Sequence, residues 1–333
     1  MRVRRHEYAD MSTTPFVKCL RFPRLLMLWV ALQFPLVAVA APAGWSVLLE
    51  PVELAAILER NPAGVRVVHV TGDFRAGHIP GAAQAVYSQF RGPQSNPGAL
   101  PDLAHLTDQV RQLGITAQTP VVIVHQGSSQ SDMGAATRVY WTLKSLGVQD
   151  LAVLNGGFGA WLKQGLPVTT AAEPVAASNF EPQWLDDWRM TTNEVEALLD
   201  DASMRLIDAR PPGFFEGLQA SSARPGTIRG AGNLSFESWF DGNRMRSPDQ
   251  VGAILASHEP PPAPVTVSFC NTGHLASINW FVMSEVLGIE HIRLYAESMT
   301  EWSQTDRPMD NEPSRLRHYW DMTTSWYNEL IGS

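Results

Sequence analysis

The 333-residue chain contains only two cysteines, Cys19 and Cys270, which excludes a disulfide-rich scaffold. Basic residues are also scarce: 25 Lys and Arg stand against 33 Asp and Glu, so the net charge is −8. A nucleic-acid-binding protein would usually be basic, and we do not expect this class. The chain also lacks a Gly-rich phosphate loop of the Walker type and any metal-ligand spacing of His, Cys and carboxylates. The sequence therefore predicts neither a cofactor nor a metal.

Long hydrophobic runs are nearly absent, and the exception, Leu25–Ala40, lies near the N-terminus. Basic residues precede this run and small residues end it, which predicts a signal peptide over residues 1–40. An uncleaved membrane anchor is the alternative, although the run is short for a span of about 20 residues. We expect a periplasmic or secreted protein with no membrane contact after cleavage. Cys270 would then be the only thiol of the mature chain.

Strands alternate with helices along the chain, which predicts an α/β fold with mainly parallel sheets flanked by helices. Several residues recur at fixed offsets. Trp161 and Pro167 have counterparts 141 residues later, and the hexapeptide GHIPGA at 77–82 has a weaker copy, GTIRGA, 149 residues later. These offsets predict a duplicated domain. The predicted segments are the signal peptide 1–40, a first domain 41–170, a linker 171–186, a second domain 187–310 and a C-terminal tail 311–333 that is expected to pack on the second domain.

One stretch of the second half places a thiol at a sharp bend. The apolar run Val265–Phe269 reads as a strand, Cys270 follows it, and helical periodicity begins near His274. A thiol at this point faces the N-terminal end of a helix, where unpaired N–H groups favour an anion. Such a position lowers a thiol pKa, so we expect Cys270 to be a nucleophile that is open to solvent.

The chain resembles the tandem rhodaneses, sulfurtransferases that are built from two rhodanese domains. The resemblance covers roughly residues 45–310 and depends on the GHIPGA motif, on LNGGFGAW at 154–161 and on the loop CNTGHLAS at 270–277. It implies a thiosulfate or 3-mercaptopyruvate sulfurtransferase in which only the second domain is catalytic. The corresponding loop of the first domain, His125–Ala136, has no thiol, so this domain is expected to be structural and to wall one side of the site.

The resemblance also implies that Cys270 carries the transferred sulfur as a persulfide. The predicted cradle for this anion is made by the residues of the following loop: Asn271, Thr272, Gly273, His274 and Leu275. Converging backbone N–H groups would stabilise the anion without a charged side chain. His274 is either a donor to an anionic substrate or a helix-start residue with no role.

Three arginines after the first strand of the second domain are candidate substrate ligands: Arg210, Arg224 and Arg229. The planar guanidinium fork fits carboxylate and sulfonate oxygens. For each arginine the alternative is a surface charge or a structural ion pair. Asp208 is expected to be structural.

The predicted activity moves a sulfane sulfur from a small donor to a thiol, cyanide or a thioredoxin-like acceptor. The alternative is a non-enzymatic sulfur carrier or redox scaffold that a protein partner loads. Cysteine phosphatases share the general fold but need an arginine six residues after the cysteine, and Ala276 occupies that position here.

Overall fold

The structure, a computed structural model, describes residues 41–258 and 263–313. The predicted signal peptide and most of the predicted tail lie outside these residues. The strands are β1 Leu48–Leu49, β2 Arg66–His69, β3 Ala83–Gln84, β4 Val121–Val124, β5 Leu151–Leu154, β6 Met204–Asp208, β7 Thr227–Ile228, β8 Gly232–Asn233, β9 Phe240–Asp241, β10 Arg244–Met245, β11 Val265–Phe269, β12 Ile292–Leu294 and β13 Met309–Asp310.

The α-helices are α1 Pro51–Arg60, α2 Leu103–Gln112, α3 Met133–Ser145, α4 Gly157–Lys163, α5 Thr192–Ala197, α6 Pro212–Phe215, α7 Pro248–Ser257, α8 His274–Trp280 and α9 Ser298–Trp302. Short 3₁₀ turns cover Pro62–Gly64, Tyr87–Phe90, Asp186–Trp188 and Phe236–Trp239, and α8 continues as a π-helical segment, Phe281–Val286.

Two parallel sheets carry the fold and have the same internal order. The first sheet runs β1-β5-β4-β2-β3 and the second runs β12-β11-β6-β8, with every pairing in both sheets parallel. The last four strands of the first order therefore correspond one by one to the four strands of the second. The predicted fold class, two α/β domains with parallel sheets, is confirmed.

The sequence repeat corresponds to repeated hydrogen bonds. Trp161 donates its indole N–H to the carbonyl of Pro167 at 2.9 Å, and Trp302 donates to the carbonyl of Pro308 at 3.1 Å. Both indoles are buried, as expected for core residues. Equivalent side chains thus make equivalent bonds 141 residues apart, as duplication requires.

Local sequence signals fix several elements. All four residues of β4, Val-Val-Ile-Val, are buried, as expected for an interior strand of a parallel sheet with helices on both faces. Helix α7 begins at Pro248 behind a capping box formed by Ser247 and Gln250. A second capping box, Thr191 with Glu194, starts α5.

The two halves share a core. Helix α3 of the first half is buried along nearly all its length and packs against α8 of the second half. One hydrophobic cluster includes Tyr140 and Trp141 together with Trp280 and Phe281. The interface therefore contains a shared apolar core, and it places α3 directly beside the Cys270 loop.

The predicted linker is extended. Residues 171–185 contain no helix or strand, and Phe180 within them is buried with its carbonyl accepting from Arg111 Nε at 2.8 Å. In residues 41–258 and 263–313, no helix is long and apolar enough to cross a membrane.

Candidate active site

Cys270 lies at the carboxyl end of β11, where Phe269 pairs with Asp208 of β6. Ligands of parallel α/β sheets usually collect at this edge. Cys270 is only 1% exposed, so the expectation that its thiol is open to solvent is wrong. Its surroundings are not purely aliphatic, because Arg138 and Tyr87 of the first half are near enough to interact with it electrostatically.

Ser298 holds the two ends of the Cys270 loop together. Its buried Oγ accepts from the backbone N–H of Cys270 at 3.1 Å and of Gly273 at 3.2 Å, and donates to the carbonyl of Tyr295 at 2.7 Å. Ser298 has a left-handed backbone with φ +54°, which is uncommon outside glycine. The residue 141 positions earlier, Gly157, has φ +60°. Sequence reasoning missed Ser298, although the repeat offset pointed to a special backbone there.

The carbonyls of the loop are anchored and most of its amides are left free. Cys270 and Asn271 accept from the backbone N–H groups of Met299 and Thr300 at 3.1 and 2.9 Å. Within the described part of the chain, no intramolecular partner takes the backbone N–H groups of Asn271, Thr272, His274 and Leu275. The amide of Gly273 is an exception to the predicted cradle, because Ser298 uses it.

Gly273 occupies a position that only glycine fits. Its φ is +67°, and a β-carbon placed on it would lie 2.5 Å from the carbonyl oxygen of Ala296 and 2.5 Å from Nη1 of Arg138. The left-handed backbone disfavours side chains, and the close contacts exclude them sterically.

His274 has both ring nitrogens bonded to the first domain. Nε2 lies 2.8 Å from the carbonyl of Ser131, which can only accept, so Nε2 carries the proton. Nδ1 then accepts from the hydroxyl of Tyr87 at 2.7 Å, and Arg91 Nη1 donates to that hydroxyl oxygen at 2.6 Å. Burial, together with the charge of Arg91, lowers the pKa of His274 to about 4. The structure thus corrects the predicted donor role: a neutral His274 ties the two domains together.

Arg210 is a structural residue, and its guanidinium is bonded to other protein groups. The side chain is 1% exposed and donates to Asp208 at 2.6 Å, to the carbonyl of Gly226 at 2.7 Å and to Oδ1 of Asn271 at 3.2 Å. The predicted contact with substrate oxygens is therefore corrected, since protein groups take these donors. Asp208 is structural, as expected, and its carboxylate also accepts from Thr227.

The other two predicted arginines also have protein partners. Arg224 donates to Glu312 at 2.9 Å and to the carbonyls of Thr305 and Arg307, and Arg229 pairs with Asp200. Both follow the alternative interpretation of structural or surface ion pairs. The structure does not bring them to the thiol loop.

The first domain supplies a cation to the site, and sequence reasoning missed this residue. Arg138 on α3 is fully buried, lies 4.9 Å from the ring of Trp141 and donates from Nη2 to the carbonyl of Gly98 at 2.7 Å. Its Nη1 is the atom that a side chain on Gly273 would strike. The helical spacing of α3 predicts burial of this face but gives no reason to expect a charge on it.

The counterpart of Cys270 in the first domain is His125, which follows β4 as Cys270 follows β11. His125 is fully buried. A carboxylate of the chain already accepts donors of the loop after it: the N–H and the hydroxyl of Ser128 donate to Asp132 at 2.8 and 2.6 Å. The first-domain loop therefore offers neither a thiol nor an open anion cradle.

Acidification is expected to destabilise the protein through its buried histidines. Burial lowers the pKa of both His69 and His125 to about 4, with His78 as a further cause at His69. The folded pKa lies below the unfolded value of about 6.5, so this stability is complete above pH 6.5 and is lost as the pH falls toward 4. The expected loss is up to about 1.4 kcal/mol per pH unit for each histidine.

Urea unfolding at several pH values between 7 and 4 measures this slope. His125→Leu removes one titrating group and is expected to flatten it, as is His69→Leu. A slope that stays the same in both variants would contradict the assignment.

No cluster of three or more His, Cys, Asp or Glu that could hold a metal occurs within residues 41–258 and 263–313. The site that the structure shows is one buried cysteine, a loop with unpaired amides, and a buried arginine from the neighbouring domain.

Known proteins share the sequence pattern and the fold of this chain. The family model for a rhodanese-like domain matches residues 51–164 and again residues 191–305. A Synechococcus elongatus protein provisionally named a thiosulfate sulfurtransferase is 30% identical over 254 residues, covering 72% of this chain and 77% of that protein. The 3-mercaptopyruvate sulfurtransferase of Rattus norvegicus is 28% identical over 243 residues, covering 71% and 80%. The solved structure of 3-mercaptopyruvate sulfurtransferase from Leishmania major, at 24% identity, superposes with a TM-score of 0.66 over 80% of this chain and 77% of that one, which shows the shared fold.

Proposed function

The chain belongs to the rhodanese family of sulfurtransferases, and from this premise we propose that Cys270 takes a sulfane sulfur from a small donor, carries it as a persulfide and delivers it to a thiol or cyanide. The observation that carries the proposal is the position of the thiol. Cys270 stands between a parallel strand and a helix, at the start of a loop whose amides at Asn271, Thr272, His274 and Leu275 are unpaired in the described chain.

The first half-reaction loads the cysteine. The Cys270 thiolate attacks the outer sulfur of thiosulfate, the new S–S bond forms, and the bond to the sulfonate sulfur breaks, so sulfite leaves with the electron pair. With 3-mercaptopyruvate the thiolate attacks the thiol sulfur, the C–S bond breaks, and the carbanion takes the thiol proton to give pyruvate. In both cases the charge balances and the product on the protein is a Cys270 persulfide anion.

The second half-reaction unloads it. Cyanide or an acceptor thiolate attacks the outer sulfur of the persulfide, and Cys270 leaves again as a thiolate. Thiocyanate, or the persulfide of the acceptor, is the product. Two half-reactions that share one covalent intermediate predict ping-pong kinetics.

The loop favours the anionic states of this cycle. Backbone N–H groups that are fixed before the reaction stabilise a sulfur anion without reorganisation and without a charged side chain. Ser298 keeps the loop in this shape, because it bonds the N–H groups of Cys270 and Gly273 at its two ends. Since Cys270 is 1% exposed, a donor reaches it only when the groups that cover it move.

A carrier function is the second candidate, and the burial of the thiol favours it. A partner protein could open the site and load Cys270, whereas a small donor would have to wait for spontaneous opening. A location outside the cytoplasm, with a thiol, cyanide or a thioredoxin-like protein as acceptor, completes the proposal.

Mass spectrometry of the intact protein distinguishes the two candidates. Wild-type protein incubated with thiosulfate or with 3-mercaptopyruvate is expected to gain one sulfur atom on the peptide that contains Cys270, and cyanide is expected to remove it with release of thiocyanate. Sulfur gained from a persulfidated protein donor, but from neither small molecule, would overturn the enzyme proposal in favour of the carrier.

A further inference from the structure

The guanidinium of Arg138 is buried with much of its hydrogen-bonding capacity unused. The residue is fully buried, and only Nη2 has a protein acceptor, the carbonyl of Gly98. Neither Nε nor Nη1 has a hydrogen-bond partner among residues 41–258 and 263–313. Burying a cation with unsatisfied donors costs folding free energy, so we expect an anionic or acceptor group to satisfy these donors.

The unused Nη1 lies against the catalytic loop. It is the atom that lies 2.5 Å from the position of a β-carbon on Gly273, three residues after Cys270. Burial lowers the pKa of Arg138, and Cys270 is among the smaller influences that oppose this change, so the two groups are close enough to interact. The loop from Cys270 to Leu275 contains no Lys or Arg of its own, and Arg210 is occupied by Asp208.

The charges around Arg138 do not neutralise it. Glu297 is a carboxylate that acts on it, but Oε1 of Glu297 is already bonded to Arg189 at 2.8 Å. Arg91 acts in the opposite sense and, after burial, is the main cause that lowers the pKa of Arg138, to about 10. Arg138 therefore stays charged at neutral pH in a region that already contains a second cation.

We propose that Arg138, from the domain without a thiol, is the counter-ion of the anionic sulfur on Cys270. It faces the thiolate of the free protein and, under the proposed function, the terminal sulfur of the persulfide. The two domains thus share one active site, with the nucleophile from the second and the balancing charge from the first. Arg138 forms and breaks no covalent bond, and its role is to stabilise the two anionic states of the cysteine.

The other titrating groups near Arg138 and the Cys270 loop leave a pH range in which the cysteine can be measured. His274 on α8 has a pKa of about 4, and burial raises the pKa of Tyr87, which belongs to the 3₁₀ turn Tyr87–Phe90. The pKa of Asp132, at the start of α3, is lowered by its hydrogen bonds with Ser128 despite partial burial. Arg91 and Glu297 complete the set of charged neighbours.

The test is the rate at which Cys270 is alkylated by neutral iodoacetamide across pH 5 to 10, followed by mass spectrometry of its peptide. Arg138→Gln removes the charge and keeps a polar side chain, and we expect it to raise the midpoint of the alkylation rate by about one pH unit or more. Arg138→Lys keeps the charge and is expected to stay within a few tenths of a unit of wild type. Lys144→Met removes a positive charge from the far end of the same helix and is expected to leave the midpoint unchanged.

A second measurement distinguishes a change in local charge from a change in the structure around Cys270. Anionic iodoacetate and neutral iodoacetamide need the same opening and the same thiolate. The rate with iodoacetate divided by the rate with iodoacetamide therefore reports the charge beside the sulfur. We expect this ratio to exceed that of free cysteine in the wild type and to fall severalfold in Arg138→Gln.

An unchanged midpoint and ratio in a folded Arg138→Gln protein would overturn the proposal. If that variant does not fold, a wild-type ratio at or below that of free cysteine overturns it. Neither reading uses a sulfur donor, so a failure here is distinct from a failure of the sulfur-transfer function.

Discussion

Cys270→Ser is expected to lower turnover of thiosulfate and of 3-mercaptopyruvate by at least about a thousandfold, because it removes the nucleophile from the site. A serine hydroxyl stays protonated at neutral pH and cannot carry a sulfane sulfur as a persulfide does. The hydroxyl is close in size to the thiol and keeps the backbone bonds of the loop to Ser298 and Met299. The protein should therefore fold normally while both half-reactions stop. Steady-state thiocyanate formation and the mass of the loaded protein measure this.

Cys19→Ser is the matched control, since it replaces the other cysteine of the chain, which lies in the predicted signal peptide. Turnover in this variant is expected to equal that of the wild type. Persistent sulfur transfer in Cys270→Ser, together with its loss in Cys19→Ser, would show that the wrong cysteine has been assigned.

Gly273→Ala is expected to destabilise the protein by about 2–4 kcal/mol and to reduce turnover at least about a hundredfold. The left-handed backbone costs about 1–2 kcal/mol with a side chain present, and contacts of 2.5 Å with Ala296 and Arg138 add a steric term. Relief of these contacts moves the loop, and displacements near 1 Å can cost about a hundredfold in rate. Urea denaturation and kcat/KM for either donor measure the two effects.

Gly288→Ala provides the matched control. Gly288 has φ +64°, close to that of Gly273, but nothing lies within 4 Å of the position of its β-carbon. Its substitution therefore carries the conformational cost alone and is expected to cost about 1 kcal/mol with turnover unchanged. If the two variants behave alike, the steric argument for the active-site loop fails.

The sequence predicted the elements that local pattern specifies. The predicted strand Val265–Phe269 agrees with β11 to the residue. Continuous apolar runs, a capping box and prolines at helix starts determine such elements before any tertiary contact forms. The position of Cys270 between a strand and a helix followed from the same local signals.

The surroundings of the thiol could not be predicted in this way. Arg138 is 132 residues away from Cys270 in the chain, and the sequence left His274 as either a substrate donor or a helix-start residue with no role. Whether a polar side chain faces substrate or another protein group depends on which surface packs against it. The three arginines that sequence reasoning favoured were taken up by such partners: Arg210 by Asp208, Arg224 by Glu312 and Arg229 by Asp200.

The amino-acid sequence by itself determined the duplicated α/β architecture, the strand–loop–helix around Cys270 and the absence of a thiol in the first copy. Hydrophobic periodicity is a property of neighbouring residues, and a repeat is found by comparing the chain with itself. Only the tertiary structure decided that α3 packs on α8, that the thiol is closed off, and that Arg138 brings its charge to the loop. These are contacts between distant parts of the chain, and they form where two apolar faces meet, a choice that no local pattern records.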